Sequence, residues 1–237
     1  AHAAMPRAPA ASAEAEAEAE AERPAGRARS FRLLGQVVEV CEGACSASST
    51  GWRTWAGGWL LAKHLERQRA PGEEGGGRVL DLSCGTGLAG IALARAGREV
   101  VLCELPANVP TVCGNARRNG LRPGCDVQVV GYSWGRPLPE EMRQAFRTVL
   151  CGDLLFHVWS DRLHLEFVAT LQDLHRRRNG ALEFLFAGQV RSGRQEAKVL
   201  AGLCERLGLE LEELEPATEA EGPDAGPLLR QGRHRLM

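Results

Sequence analysis

Lysine is almost missing from this chain: only Lys63 and Lys198 break a positive charge otherwise carried by arginine. That bias runs through the whole Ala/Gly/Arg-rich sequence and reads as codon composition rather than function. Lys and Arg number 29 against 30 Asp and Glu, a net charge of −1. No bulk attraction to nucleic acid or to an anionic membrane follows. C-x-x-C is absent among the eight cysteines, and the nearest two, Cys41 and Cys45, lack a second ligand pair at zinc spacing. Because the cysteines are scattered, with Cys103, Cys151 and Cys204 inside apolar runs, free thiols in a reducing compartment are expected. No run approaches the ~18 apolar residues of a membrane helix. What remains is a soluble chain of 237 residues, 44% hydrophobic, long enough for one α/β core with tails. A cytoplasmic location is expected, with the nucleus and an organelle left open.

Residues 1–30 are low-complexity, with alternating Ala and Glu from Ala13 to Glu22 between Pro6, Pro9 and Pro24. They offer no apolar face, so a disordered tail or fraying helix is expected, with one domain over 31–237. From Phe31 to Cys41 an apolar run predicts one or two edge strands, arranged as a hairpin. Trp55, Trp59, Leu60, Ala62 and Leu65 recur at helical spacing, although three tryptophans within eight residues exceed what packing needs. Farther on, strands are expected at Val127–Val130, Thr148–Cys151 and Ala181–Ala187, with helices over about 161–177 and 193–207. A weak sixth strand is expected over Leu209–Leu214. Strands alternating with helices predict a mainly parallel sheet with its ligand site beyond the strands' carboxyl ends.

The organising stretch is Val79-Leu80-Asp81-Leu82-Ser83-Cys84-Gly85-Thr86-Gly87-Leu88. A buried strand ends on an acid, turns through small residues and opens an Ala/Leu-rich helix, Leu88 to Ala96. Small residues admit a ligand close to the backbone, and the helix start offers free N–H groups. Twenty-three residues past Asp81, a second apolar run ends on Glu104. An acid there is placed to take the two hydroxyls of a ribose. Dinucleotide enzymes want G-x-G-x-x-G, whereas this turn reads Ser83-x-Gly85-x-Gly87.

Six features in register carry a resemblance. They are Gly51 with Trp55; Asp81-x-Ser83-x-Gly85-x-Gly87; Glu104; Asn115 with Asn119; Ser133-Trp134-Gly135; and Asp153-Leu154-Leu155-Phe156. Ala187-Gly188-Gln189-Val190-Arg191 adds a seventh. From about Gln36 to Leu214 the chain resembles the methyltransferase-like 21 group of protein-lysine methyltransferases (methyltransferase family 16). The resemblance implies an α/β, Rossmann-like seven-stranded sheet, mostly parallel with a C-terminal antiparallel strand and helices on both faces. It implies S-adenosyl-L-methionine (AdoMet) as cofactor and a lysine side chain of a protein as acceptor. Alternatives are another nucleophile, such as a protein histidine or a small molecule, and a catalytically weak interaction protein on the same fold.

By the same resemblance, the cofactor residues are Trp55, Asp81, Ser83, Cys84, Gly85, Gly87, Glu104, Trp134 and Gly152. Asp153 and Phe156 are the catalytic pair, no metal is required, and the expected partner is a protein substrate. Neither nucleic acid nor membrane is expected, and a monomer is. Asp153 would face the amine. Methyl transfer from a sulfonium is an in-line displacement, so the amine must be neutral and aligned, although a free lysine of pKa ~10.4 is mostly charged. Two departures stand out: Ser83 replaces a glycine and fits there if its φ is negative, and Phe156 replaces the tyrosine of D-x-x-Y, losing the hydroxyl. The last stretch is unusual too, since Pro216–Gly226 is loop-like and only Pro227–Met237 can supply the closing strand. His157 and His164 have no metal spacing and are expected to face solvent or pack.

Overall fold

The structure is a computed structural model that describes residues 26–43, 50–68, 77–218, 229 and 234–237. Most of the expected N-terminal tail lies outside these residues, but its last four belong to a strand. β1 (Arg27–Leu33) and β2 (Gln36–Glu42) form an antiparallel hairpin in which Leu33 pairs with Gln36. Leu34 and Gly35 make the two-residue turn with φ 52° and 73°, the left-handed pair that matches the twist of a hairpin. Phe31, Leu33, Val38 and Val40 alternate inward and are fully buried. The hairpin therefore docks as an amphipathic flap.

The central sheet runs in the order β5-β4-β3-β6-β7-β8. Its parallel members are β3 (Val79–Leu82), β4 (Val100–Glu104), β5 (Gln128–Gly131), β6 (Thr148–Gly152) and β7 (Glu183–Gln189). The short β8 (His234–Leu236) pairs antiparallel with β7. The expected strand over Leu209–Leu214 is reduced to a single bridge, Leu214 to Leu236, so the described sheet has six strands rather than seven. Glu210, Glu212 and Glu213 crowd that run with exposed charge, which leaves little apolar surface to hold it on the sheet.

Both sheet faces are covered, which is why β3 and β4 read as continuous apolar runs. On one face the hairpin packs with α1 (Ala56–Gln68), α2 (Leu88–Arg95) and α3 (Val109–Arg118), burying Val79, Leu102, Trp59 and Ile91. On the other, α4 (Leu154–Ser160), α5 (His164–Arg176) and α6 (Gly193–Leu207) cover Leu80, Leu82, Val101 and Val149. The single long helix expected from Asp161 begins three residues later, because Arg162 takes φ 59°. Ahead of that break sits α4, whose apolar and aromatic run LLFHVWS shows no amphipathic period.

Two asparagines fasten the hairpin to this frame. Asn115 accepts from the Cys41 N–H at 2.8 Å and donates to the Cys41 and Thr86 carbonyls. Asn119 accepts from the Glu39 N–H at 2.9 Å and donates to the Glu39 carbonyl. Their side chains thus pair with β2 as a neighbouring strand would.

Candidate functional site

Where β3 and β6 lie side by side, the crossovers leave in opposite directions, and a crevice must open beyond their carboxyl ends. A cleft of about 750 Å³ occupies this place. Of the sequence-expected residues, Trp55, Ser83, Gly85, Glu104, Trp134, Gly152, Asp153 and Phe156 lie on its wall. Asp81, Cys84 and Gly87 stand behind it. Asp81 is 4% exposed and its Oδ2 accepts the Gly90 N–H at 2.9 Å, tying β3 to the first turn of α2. Burial first, and then the charge of Glu104, raise its carboxyl to about 7 against the pull of the Gly90 N–H. Cys84 contributes backbone, its N–H on the Cys103 carbonyl and its carbonyl on the Gly87 N–H. Gly87 precedes α2 with φ 82°.

Ser83 departs from the condition set for it, since its φ is +59°. The turn demands a left-handed residue, and serine meets that demand at a strain of about 1–2 kcal/mol. At the far wall, Glu104 is 5% exposed, with Oε2 accepting the Leu105 N–H at 2.6 Å and Oε1 the Asn108 amide at 3.0 Å. Burial raises its pKa, while those two donors oppose the rise. Each oxygen accepts one of these bonds and can take another, and Glu104 lines the cleft. Gly51 must stay small here, because a Cβ would overlap the Glu104 carboxylate and the Asn108 amide.

Trp134 is held from below. Its ring packs on Phe167 of α5 at 4.7 Å, and the next residue, Gly135, donates its N–H to Thr170 Oγ1 at 3.0 Å. Tyr132 also lines the cleft while its hydroxyl meets Thr170 at 3.0 Å. Trp134 is therefore both a loop anchor and a wall. Of the other tryptophans in the first helix region, Trp59 is fully buried in the core, whereas Trp52 lines the cleft.

At the opposite end Asp153 sits with φ 55° between β6 and α4. Its Oδ2 accepts the Gly57 N–H at 2.6 Å and its Oδ1 the Gln189 N–H at 2.9 Å. The first is a free donor in the opening turn of α1, so the carboxylate caps α1 across the sheet. It makes no capping hydrogen bond to its own helix α4. Arg191 Nη1 stands 3.5 Å from Oδ1, and the guanidinium carbon lies 5.1 Å from the ring centroids of both Trp55 and Phe156. A cation thus bridges the carboxylate and two aromatic walls.

Residues not read as site residues also join this wall: Thr50, Tyr132, His157, Asp161 and Arg191. His157 was expected to face solvent or pack, yet it lines the cleft. The only signal available in the sequence was the four-residue spacing of His157 and Asp161 just after the D-x-x-F run. Among the described residues no group of three or more His, Cys, Asp or Glu is placed to hold a metal ion. None of the seven described cysteines is in a disulfide, and no described helix is long and apolar enough to cross a membrane.

A parallel sheet of this order with an acid at the end of β4, a glycine turn after β3 and a cleft over both defines a Rossmann-like methyltransferase fold. The guanosine- and AdoMet-bound 16S rRNA N2 G1207 methyltransferase RsmC of T. thermophilus shares that fold over 90% of this chain, with a TM-score of 0.62 and 22% identity. The chain belongs to the lysine methyltransferase family, whose model matches residues 40–201. EEF1A lysine methyltransferase 3 of Mus musculus is 28% identical over 105 residues, 44% of each protein. The chain spans about half the length of these relatives, covering 44% of the mouse protein and 50% of the RsmC chain.

Proposed function

We propose that this protein transfers a methyl group from AdoMet to a lysine side chain of a protein substrate. One observation carries the reading: a single cleft joins the Ser83–Gly85 turn, Glu104 and Trp134 at one end to Asp153 and Phe156 at the other. The residues fit the cofactor's parts. Glu104 keeps acceptor capacity for a ribose diol, Trp134 presents an aromatic edge for a purine, and the Ser83, Gly85 and Gly152 backbones leave room for the amino-acid arm. When bound there, AdoMet supplies an electrophilic methyl on a sulfonium. The protein has then to deliver a neutral, aligned amine and keep water out.

Phe156 and Trp55 wall the acceptor end as rings, without the hydroxyl that the family's tyrosine would bring. Asp153 acts there by fixing Gly57, Gln189 and Arg191 around the slot, and so sets the distance between the first helix and the end of β7. The mouse relative's name makes EEF1A the first acceptor to test. We take the methyltransferase domain to cover residues 31–237 and to include the first strand of the hairpin from Arg27. The partners that follow are a protein substrate, with no nucleic acid or membrane, and a monomeric state.

Isothermal titration with S-adenosylhomocysteine tests the cofactor end. Micromolar binding by the wild type, lost in Glu104→Ala, is expected. A folded protein that does not bind would sink the methyltransferase reading and favour an interaction protein on the same fold.

A further inference from the structure

His157 forms a carboxylate–imidazole–hydroxyl chain on the wall of the cleft. Its Nδ1 lies 3.2 Å from Asp161 Oδ2 and its Nε2 lies 3.2 Å from Thr50 Oγ1. A His–Asp pair four residues apart on a helix is commonly a solvated surface pair. Here, however, all three residues line the cleft, and His157 follows Phe156, with the two rings 5.6 Å apart. The pair therefore borders the acceptor slot. A carboxylate against Nδ1 favours the Nδ1–H tautomer, which leaves Nε2 as a bare acceptor directed across the cleft to Thr50.

The slot needs such an acceptor. Asp153 accepts two backbone N–H bonds, as Glu104 accepts two donors, but the Arg191 guanidinium 3.5 Å from its Oδ1 already stands where an amine would have to come. Arg191 has no lone pair to offer, Phe156 has no hydroxyl, and Glu104 sits at the cofactor end. The charged groups around α4 are Asp161 on its own turn, Asp153 at its start, Arg191 from the loop after β7, and Glu196 of α6 beside the small cavity next to Phe156.

We propose that His157, oriented by Asp161, is the proton-accepting residue for the lysine ammonium, an inference that rests on the methyltransferase reading above. The ammonium gives one proton to Nε2, displacing the Thr50 hydroxyl, and the imidazolium is held by Asp161. The amine lone pair then forms the N–C bond as the S–CH3 bond breaks, and S-adenosylhomocysteine leaves with the sulfur's electron pair. The imidazolium returns its proton to water. Charge and atoms balance without a metal or a redox partner.

Two measurements on the full chain test this. In long-range 1H–15N spectra of the protein saturated with S-adenosylhomocysteine, His157 should show the Nδ1–H tautomer. Its Nε2 resonance should move when n-butylammonium, a lysine side-chain mimic, is added, and Asp161→Asn should lose the tautomer bias. An Nε2–H tautomer, or an Nε2 signal indifferent to the amine, would overturn the proposal. With EEF1A and labelled AdoMet, His157→Gln should lower kcat/KM about 100-fold at pH 7. The deficit should shrink toward pH 9.5, where more of the lysine is already neutral. A loss that is the same at both pH values means a structural role and refutes proton transfer. S-adenosylhomocysteine affinity should be unchanged in His157→Gln, so failure of the cofactor reading shows up separately in the titration.

Discussion

Replacing Asp153 by alanine tests whether this carboxylate is first a clamp. It removes two charge-assisted hydrogen bonds, at 2.6 Å to Gly57 and 2.9 Å to Gln189, in a residue 8% exposed. Hydrogen bonds to charged groups contribute about 1.5–3 kcal/mol each, and the orphaned N–H groups keep their desolvation penalty. Alanine at φ 55° adds about 1 kcal/mol of backbone strain. A loss of about 4–7 kcal/mol follows, a large share of the ~5–15 kcal/mol that holds a domain together. Asp153→Asn tolerates the left-handed backbone and keeps one acceptor, so about half that loss is expected. Urea unfolding of both variants, alongside S-adenosylhomocysteine titration, reads this directly. If Asp153→Ala lost less than about 1 kcal/mol while methyl transfer vanished, the clamp argument would be wrong and the carboxylate would belong to the chemistry.

Other perturbations have equally definite expectations. Asp81 titrates near 7 when folded and near ~3.9 when unfolded, so the native state holds a proton that the unfolded chain releases in between. Stability from this group therefore falls as pH climbs from about 4 to about 7, by at most ~4 kcal/mol. Asp81→Asn should match the wild type near pH 4 and exceed it at pH 8 in urea midpoint; parallel pH profiles would refute the burial argument. Ser83→Gly should relieve the φ of +59° and raise stability by about 0.5–1 kcal/mol in thermal unfolding, whereas a drop would show that the serine side chain holds the turn. Gly51→Ala pushes a methyl into Glu104 and Asn108. It should weaken S-adenosylhomocysteine binding at least tenfold with little change in melting temperature, and intact affinity would remove Glu104 from the ribose site.

The strand, turn and helix around Asp81 were legible because a buried parallel strand, a small-residue turn and an apolar helix each leave a local signature. Glu104 was equally readable from its distance along the chain. Helix α4 was not, since only His157 and Ser160 are polar among its seven residues and its end depends on the left-handed backbone of Arg162. The direction of the Asp153 side chain was hidden for a different reason: its partners Gly57 and Gln189 are 96 and 36 residues away and offer only backbone. Likewise Arg191 stood in a matched segment, but that its guanidinium closes on Trp55 and Phe156 depends on how β7 meets the first helix. The weak strand at Leu209–Leu214 failed on packing, because alternate apolar residues cannot hold an edge when exposed glutamates separate them.

The asparagine pair of α3 works as a ruler. Four helical residues rise about 6 Å and two strand residues about 7 Å, so Asn115 and Asn119 can meet Cys41 and Glu39 together. Glu39 and Cys41 have both N–H and C=O on that side answered, and Arg95 donates to the Val37 carbonyl, which blunts the edge against a foreign strand. Because Asn115 also holds the Thr86 carbonyl, the same spacing ties the hairpin to the glycine turn. One residue inserted between the asparagines would rotate the second off β2 by about 100°, freeing the hairpin to slip in register and loosening the turn beneath the cofactor.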